Sequence, residues 1–520
     1  MNLDGKVCYQ AILTRDVRFD GVFFVGVSTT GIYCRTVCTA KNPRRENCTF
    51  YSSAAAAERA GFRPCLRCRP ELAPGRAPID AVSRLAALAA SRIEDGVLTD
   101  RNVCDLATEM GISDRHLRRV IEREFGVSPI ELAQTQRLLL AKHLLTDTNL
   151  PITEVAFASG FSSVRRFNAL FRERYRLNPT KLRKSRATEI PHETLLCELA
   201  YRPPLDWDSL LSFLIGRATY GVENIDGHRY MRTVLHGKHC GWIAVEPSKN
   251  KPTIRVEVSV SLAPVLLPIL ARVKRLFDLA AEPQQIATHL GSLSTTNPGL
   301  RVPGAFDGFE LAVRAILGQQ VSVKAATTFA NRFAIAFGDP IKTPSEKLTH
   351  LTPTAGRIAC AEAEEIAAIG IVAARANAIL ALARAVVRKR VTLDPGAEVG
   401  ANVIDVEETM ARLKELPGIG EWTVQYIAMR ALSWPDAFPH TDLGICKALG
   451  ESSPKRVLQI AEAWRPWRSY AAMYLWKSLE TNNDLLHLFR ESNSAASAHF
   501  GRNITHRPLH GRTKIRRGGE

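Results

Sequence analysis

The chain has 520 residues, too many for one compact core, so three or four domains are expected. Lysine and arginine outnumber aspartate and glutamate by 69 to 52, a net charge of +17, and the longest apolar runs, such as LAPVLLPIL, are far too short to span a membrane. Residues 1–188 carry +11 and residues 501–520 carry +5, which leaves about +1 for 189–500. The excess therefore sits where modules that track nucleic-acid phosphates would hold it, the plainer alternative being a solvated surface.

The opening MNLDGKVCYQ has an early acid and no apolar stretch, so no secretory signal is read there and a cytoplasmic, bacterial, nucleoid-associated protein is expected. In that compartment the 11 cysteines should be reduced, and clustered ones point to a metal or to chemistry. Cys34-x3-Cys38, 26 intervening residues and Cys65-x2-Cys68 fit a tetrahedral four-thiolate zinc site. Spacing alone favours a closed structural ribbon, and a redox pair would need only one CxxC. The surrounding FFVGVSTTGIYCRTVCTAKNPRRENCTFY…AGFRPCLRCRP resembles the N-terminal domain of the Ada family along nearly its whole length. That resemblance implies that Cys34, the first cysteine of the cluster, accepts a methyl group from a DNA methylphosphotriester. Four thiolates on Zn²⁺ give about −2, falling to about −1 after methylation, in a field of Arg35, Lys41, Arg44, Arg45, Arg63, Arg67 and Arg69. Less repulsion of phosphate is then expected to tighten DNA binding. Cys48, outside the spacing, reads as a core thiol. Residues 1–76 close in PELAPGRAP, read as a linker.

Residues 80–186 are helical and basic, and contain a repeat. Ala107, Gly111 and Ser113 recur 49 residues later as Ala156, Gly160 and Ser162, while Leu117, Ile121, Phe125 and Pro129 recur 50 later as Phe167, Phe171, Tyr175 and Pro179. Each unit reads as a helix, a turn at glycine, a capping serine and an arginine-rich amphipathic helix, a doubled helix-turn-helix. DNA contact is expected at Arg115, His116, Arg118, Arg119, Arg165 and Arg166. The pair resembles the AraC-type DNA-binding domain, and RNA polymerase is the further partner such an activator implies.

KSRATEIPHETLL separates this from 194–290, where alternating β-branched residues in RYMRTVLHGKHCGWIAVEPSKNKPTIRVEVSVS predict antiparallel strands and a mixed α/β domain. Helical periodicity returns over 291–485. LKELPGIGEWTVQYIAMRAL holds Leu416-Pro417-Gly418-Ile419-Gly420, a tight turn whose free N–H groups can grip a phosphate, although LPGxG alone also fits an ordinary helical hairpin. Asp442 follows Gly420 by 22 residues. With GLRVPGAFDGFELAVRAILGQQVSV and WRPWRSYAAMYLW, the stretch 194–485 closely resembles the AlkA-type helix-hairpin-helix DNA glycosylases. The resemblance implies a flipped alkylated base, Asp442 as the carboxylate that stabilises the oxocarbenium-like transition state, and Trp422, Tyr426 and Trp476 as pocket aromatics. Each aromatic alone would more simply be core packing. It also implies a DNA-gripping hairpin at Gly418 and Gly420 with room for a monovalent cation. Gln320 stands where the family inserts a leucine wedge. Bifunctional members carry a lysine where Trp422 stands, so a monofunctional glycosylase of the 3-methyladenine and 7-methylguanine class is expected. Residues 486–520, with HGRTKIRRGG, read as a disordered basic tail.

The expected molecule is multidomain and mainly α: a small zinc-bound α/β domain, an all-α double helix-turn-helix, a mixed α/β domain and a helix-hairpin-helix glycosylase domain. It acts on double-stranded DNA, alkylated or promoter, as a monomer. The second methyltransferase domain of Ada proteins, with its PCHRV motif, is not found in the sequence. A zinc-stapled glycosylase without sensing and a regulator with a non-catalytic glycosylase half are the rival readings.

Overall fold

The computed structural model describes residues 4–74, 84–99, 101–148, 150–183, 193–394 and 406–479. The tail expected over 486–520 lies outside them, as does most of the breaker zone after 183.

The front module is built on period-2 alternation. Strands β1 (Phe24–Val27), β2 (Ile32–Cys34), β3 (Cys48–Tyr51) and β4 (Arg63–Pro64) form a sheet in the order β3-β1-β2-β4. Phe23 and Val25 pack with Cys8, Ala11 and Ile12 of α1 (Gly5–Leu13), whereas Phe24 and Tyr33 point the other way and pack with Ala57 of α2 (Ala54–Arg59). Cys48 is buried and its Sγ donates to the Arg44 carbonyl, as expected of a core thiol. Residues 70–74 of the expected linker are described, and they are docked. Pro70–Leu72 forms a 3-10 turn with Leu72 buried, Glu71 pairs with the buried Lys142 at 2.5 Å, and Arg69 pairs with Asp147. Proline marks a bend here, but two buried ion pairs decide that the bend is docked.

The repeat folds as read. Helix α3 (Arg84–Glu94) precedes the first unit, α4 (Val103–Glu109) and α5 (Asp114–Phe125); α6 (Pro129–Asp147) leads to the second, α7 (Ile152–Ala158) and α8 (Val164–Tyr175), followed by α9 (Pro179–Leu182). Gly111 and Gly160 take φ of +64° and +81°, which only glycine adopts without strain. Leu117, Ile121 and Phe125 and their counterparts Phe167, Phe171 and Tyr175 are all buried. One detail differs from the sequence reading: the second cap is Ser163, whose Oγ accepts from the Arg166 N–H, and not Ser162. An extra residue lengthens the second turn, so the caps keep the same 50-residue offset as the helices they start.

Strands β5 (Thr194–Ala200), β6 (Glu223–Asp226), β7 (Arg229–His236), β8 (His239–Pro247) and β9 (Thr253–Ser259) form the expected antiparallel sheet, ordered β5-β9-β8-β7-β6. Helices α10 (Trp207–Ile215) and α11 (Leu266–Leu276) accompany it, and the rings of Trp207 and Tyr230 meet Phe277. Helices α12 (Pro283–Leu290), α13 (Gly308–Leu317), α14 (Val323–Phe337), α15 (Ala355–Ala359), α16 (Ala363–Ala368), α17 (Ala373–Val387), α18 (Val406–Lys414), α19 (Glu421–Arg430), α20 (Leu443–Leu449) and α21 (Pro454–Ala461) follow, with a last helix over 468–479. One apolar core runs without interruption from Leu138 in α6, through the sheet, to Leu475, and a second lies between α13, α14, α17 and α19. Among the described residues no helix is long and apolar enough to cross a membrane.

Candidate functional sites: a four-sulfur cluster and a carboxylate between indoles

Strand pairing assembles the cluster. β2 and β4 run parallel with Tyr33 opposite Pro64, so Cys34 and Cys65, each the next residue along, emerge side by side. The Cys65 N–H donates to the Tyr33 carbonyl at 3.0 Å, and the Cys38 N–H donates to the Arg35 carbonyl in the turn that returns the second ligand. All four sulfurs lie within 4.8 Å of one another. Tetrahedral thiolates with metal–sulfur bonds of about 2.3 Å stand roughly 3.8 Å apart, so the set fits one zinc ion held by Cys34, Cys38, Cys65 and Cys68. Cys38 and Cys65 are buried; Cys34 and Cys68 are only half-buried.

The expected ring of positive charge is thinner than the sequence suggests. Arg35 is buried, its Nε donating to Asp20 Oδ1 at 2.8 Å and its Nη1 to the Cys68 carbonyl at 3.2 Å. Arg69 is likewise spent on Glu71 and Asp147. Lys41, Arg44, Arg45 and Arg67 remain exposed. Arg63 is half-buried, and carboxylates neutralise Arg35 and Arg69, which composition does not reveal.

In the reader units Arg115, Arg118, Arg119, Arg165 and Arg166 are exposed on the second helix of each pair, and His116 is half-buried. Arg118 is held by Asp114 at 3.0 Å, and Arg119 meets His116 Nδ1 at 3.0 Å.

The second site forms where α19, α20 and the last helix converge. Asp442 is the N-cap of α20 and its Oδ1 accepts the Ile445 N–H at 3.0 Å. The indole Nε1 of Trp476 donates to the same oxygen at 2.9 Å, and that of Trp422 donates to Oδ2 at 2.8 Å. Trp422 stacks on Tyr426, centroids 5.1 Å apart and planes 12° from parallel, and Tyr426 lies 6.3 Å from Trp476. The expected four residues are thus brought together. Burial would push the Tyr426 phenol up, but the guanidiniums of Arg430, Arg217 and Arg314 outweigh it and hold the phenol below its ordinary value.

Gly418 (φ +79°) and Gly420, the N-cap of α19, are exposed, while the N–H of the buried Ile419 between them donates to the Leu416 carbonyl at 3.2 Å. A side chain at Gly418 would meet Ala378 Cβ at 2.9 Å. Gln320 is exposed at the tip of the turn between α13 and α14, in a left-handed conformation with φ +53°.

Three contributors escape the sequence reading. Gln319 Nε2 donates to the Gly418 carbonyl at 2.8 Å and to Thr423 Oγ1 at 2.9 Å, tying the Gln320 turn to the hairpin. Phe213, from α10 beside the sheet, stacks on Trp476 with centroids 6.2 Å apart. Arg430 anchors Tyr426 Oη at 2.8 Å and spans to the Pro303 and Gly304 carbonyls. Phe213 sits on the buried apolar face of α10 and looks like core. The unusual signal is Arg430, an arginine on the buried face of α19.

Four family models match the chain: the metal binding domain of Ada over 7–71, a helix-turn-helix domain over 106–185, the AlkA N-terminal domain over 196–307 and the HhH-GPD superfamily of base excision DNA repair proteins over 313–466. A probable bifunctional transcriptional activator/DNA repair enzyme AlkA from Mycobacterium tuberculosis is 37% identical over 495 residues, 92% of this chain and 97% of that protein. The DNA-3-methyladenine glycosylase 2 of Escherichia coli is 37% identical over 279 residues, 54% of this chain and 95% of the relative. The bifunctional transcriptional activator/DNA repair enzyme Ada of Escherichia coli is 36% identical over 130 residues, 25% of this chain and 35% of the relative.

Proposed function

Because this chain belongs to the family that joins an Ada-type front to an AlkA-type glycosylase, we propose that one polypeptide both senses and repairs alkylated DNA. The observation that carries the reading is the Asp442 carboxylate, gripped by the indoles of Trp422 and Trp476 at the edge of an aromatic wall and beside an exposed hairpin.

In the repair half the hairpin N–H groups around Gly418 and Gly420 bind a backbone phosphate. Gln320 enters the gap left as the damaged nucleotide turns out of the stack. The faces of Trp422, Tyr426 and Trp476 attract a base made cationic by ring-nitrogen alkylation. The base takes the electron pair of the breaking glycosidic bond and leaves neutral. The Asp442 carboxylate, aimed by two indoles, stabilises the positive sugar and accepts the proton of the attacking water. The residue at the lysine position of strand-cutting enzymes is Trp422, whose N–H is already committed to Asp442. The product is therefore an abasic site in an intact strand.

In the sensing half, Cys34, Cys38, Cys65 and Cys68 would hold a zinc ion, which would keep their sulfurs ionised at neutral pH. The half-buried Cys34 sulfur attacks the methyl of a neutral methylphosphotriester; the S–C bond forms as the C–O bond breaks, and the phosphodiester leaves as an anion. Exposed Arg115, Arg118, Arg119, Arg165 and Arg166 then read promoter DNA in the major groove, in contact with RNA polymerase. Release of free base from methylated duplexes, with no borohydride-trapped adduct, tests the repair half.

A further inference from the structure

The sensing and repair halves meet across buried polar contacts, and one of these begins at the residue after the methyl acceptor. Arg35 donates its backbone N–H to Cys68 Sγ at 3.4 Å and clasps the Asp20 carboxylate through Nε and Nη2. The Asp20 carbonyl accepts from Nη2 of Arg202 at 3.4 Å. Arg202 lies just after β5 in the repair half, pairs with Glu282 at 2.7 Å, and its carbonyl accepts Arg301 Nη2 at 2.6 Å. Arg35, Asp20, Arg202, Glu282 and Arg301 are all at most 8% exposed.

A second seam runs parallel to it. Arg275 of α11 pairs with Asp95, after α3, at 2.6 Å and with Asp394, after α17, at 3.5 Å. This seam ties the end of α3, just ahead of the first helix-turn-helix unit, to both parts of the repair half.

We propose that Arg35–Asp20–Arg202 is a coupling joint through which methyl transfer to Cys34 loosens the contact between the sensing and repair halves. The inference rests on the reading of Cys34 as methyl acceptor. A methyl on the half-buried Cys34 sulfur needs volume in a close-packed module, where Cys34 lies against the cluster of Cys8, Phe23 and Cys48. It also removes one negative charge from a cluster whose Cys68 accepts from Arg35, at its sulfur from the backbone N–H and at its carbonyl from the guanidinium. Arg35 is shared between the sulfur cluster and Asp20, so a change on one side alters its hold on the other. The Asp20 carbonyl is fixed to that carboxylate by its own backbone, and Arg202 is the first group of the repair half to feel it. The differential contact that coupling requires is thus the Asp20–Arg202 bond.

The test is amide hydrogen exchange on the full zinc-loaded chain before and after methylation of Cys34, confirmed by peptide mass. One arm uses methylphosphotriester DNA as donor, removed before exchange, and the other methyl iodide, in which the S–C bond forms and iodide leaves. In the wild type, peptides spanning 199–204 and 279–283 should exchange about fivefold faster after methylation. In Arg202→Ala, and in Asp20→Asn, which keeps the carbonyl but weakens the Arg35 clasp, methylation should leave both peptides unchanged. Acceleration confined to residues 17–72, or an equal response in both variants, overturns the joint. If only methyl iodide modifies Cys34, the sensing reading fails while the exchange of that sample still decides the coupling.

Discussion

The Nε1 of Trp476 donates to Oδ1 of Asp442 at 2.9 Å, although the two residues are 34 positions apart on different helices. With Trp422 on the other oxygen, the carboxylate is fixed in direction before any DNA arrives. Preorganised charge of this kind is worth most where charge develops in the transition state. Trp476→Phe keeps an aromatic face, a smaller one, and removes the N–H. Excision of alkylated base under single-turnover conditions should fall about ten- to a hundredfold, with lesion-DNA affinity nearly unchanged. A loss confined to affinity would mean that the ring only packs.

Asp442→Asn separates chemistry from architecture. Asparagine still caps α20 by accepting from Ile445, but its amide NH2 replaces the oxygen that accepts the Trp422 N–H, so the melting temperature should fall by only about 2–4 °C. Base release should drop by roughly 10²–10³ or more, because the amide cannot balance positive charge on the sugar. Base release at the wild-type rate would remove Asp442 from the mechanism.

Glu58 makes stability depend on pH. It is buried between the sensor and α6, accepting from Tyr33 Oη at 3.0 Å and Thr135 Oγ1 at 2.8 Å. Burial pushes its carboxyl up to about 7, against the lesser pull of Thr135, Tyr33 and Arg174. The folded chain therefore holds a proton that the unfolded chain releases near pH 4.5. Its contribution is complete below that pH and is lost as pH rises through about 7, an effect of order 1–3 kcal/mol. Melting curves from pH 5 to 8 should show wild type losing stability relative to Glu58→Gln. Parallel curves would show that Glu58 does not titrate in this range.

Much of this was legible because local rules and global fold agree. The spacing of four cysteines, two glycine turns at a fixed interval and alternating residues over 229–259 each encode one element, and each element forms. The pocket aromatics were reached only through the resemblance, since Trp422 and Tyr426 in a helix otherwise read as core. What stayed hidden depends on distant pairing. Arg35 looked like part of the positive field around the sulfurs until Asp20 claimed it, and PELAP looked like a linker until Lys142 met Glu71. Phe213 could not be singled out, because it stands with Trp207, Leu210, Leu211 and Leu214 on the buried face of its helix.

The account depends above all on a metal-held sulfur at the front acting on DNA damage, and the mass of the Cys34 peptide after incubation with methylphosphotriester duplex reads this directly. One added methyl on Cys34, stoichiometric with the chain and absent from Cys38, Cys65 and Cys68, is the predicted result. An unmodified Cys34 in zinc-loaded protein that still excises alkylated bases would contradict it, and would leave the cluster as a staple on a glycosylase.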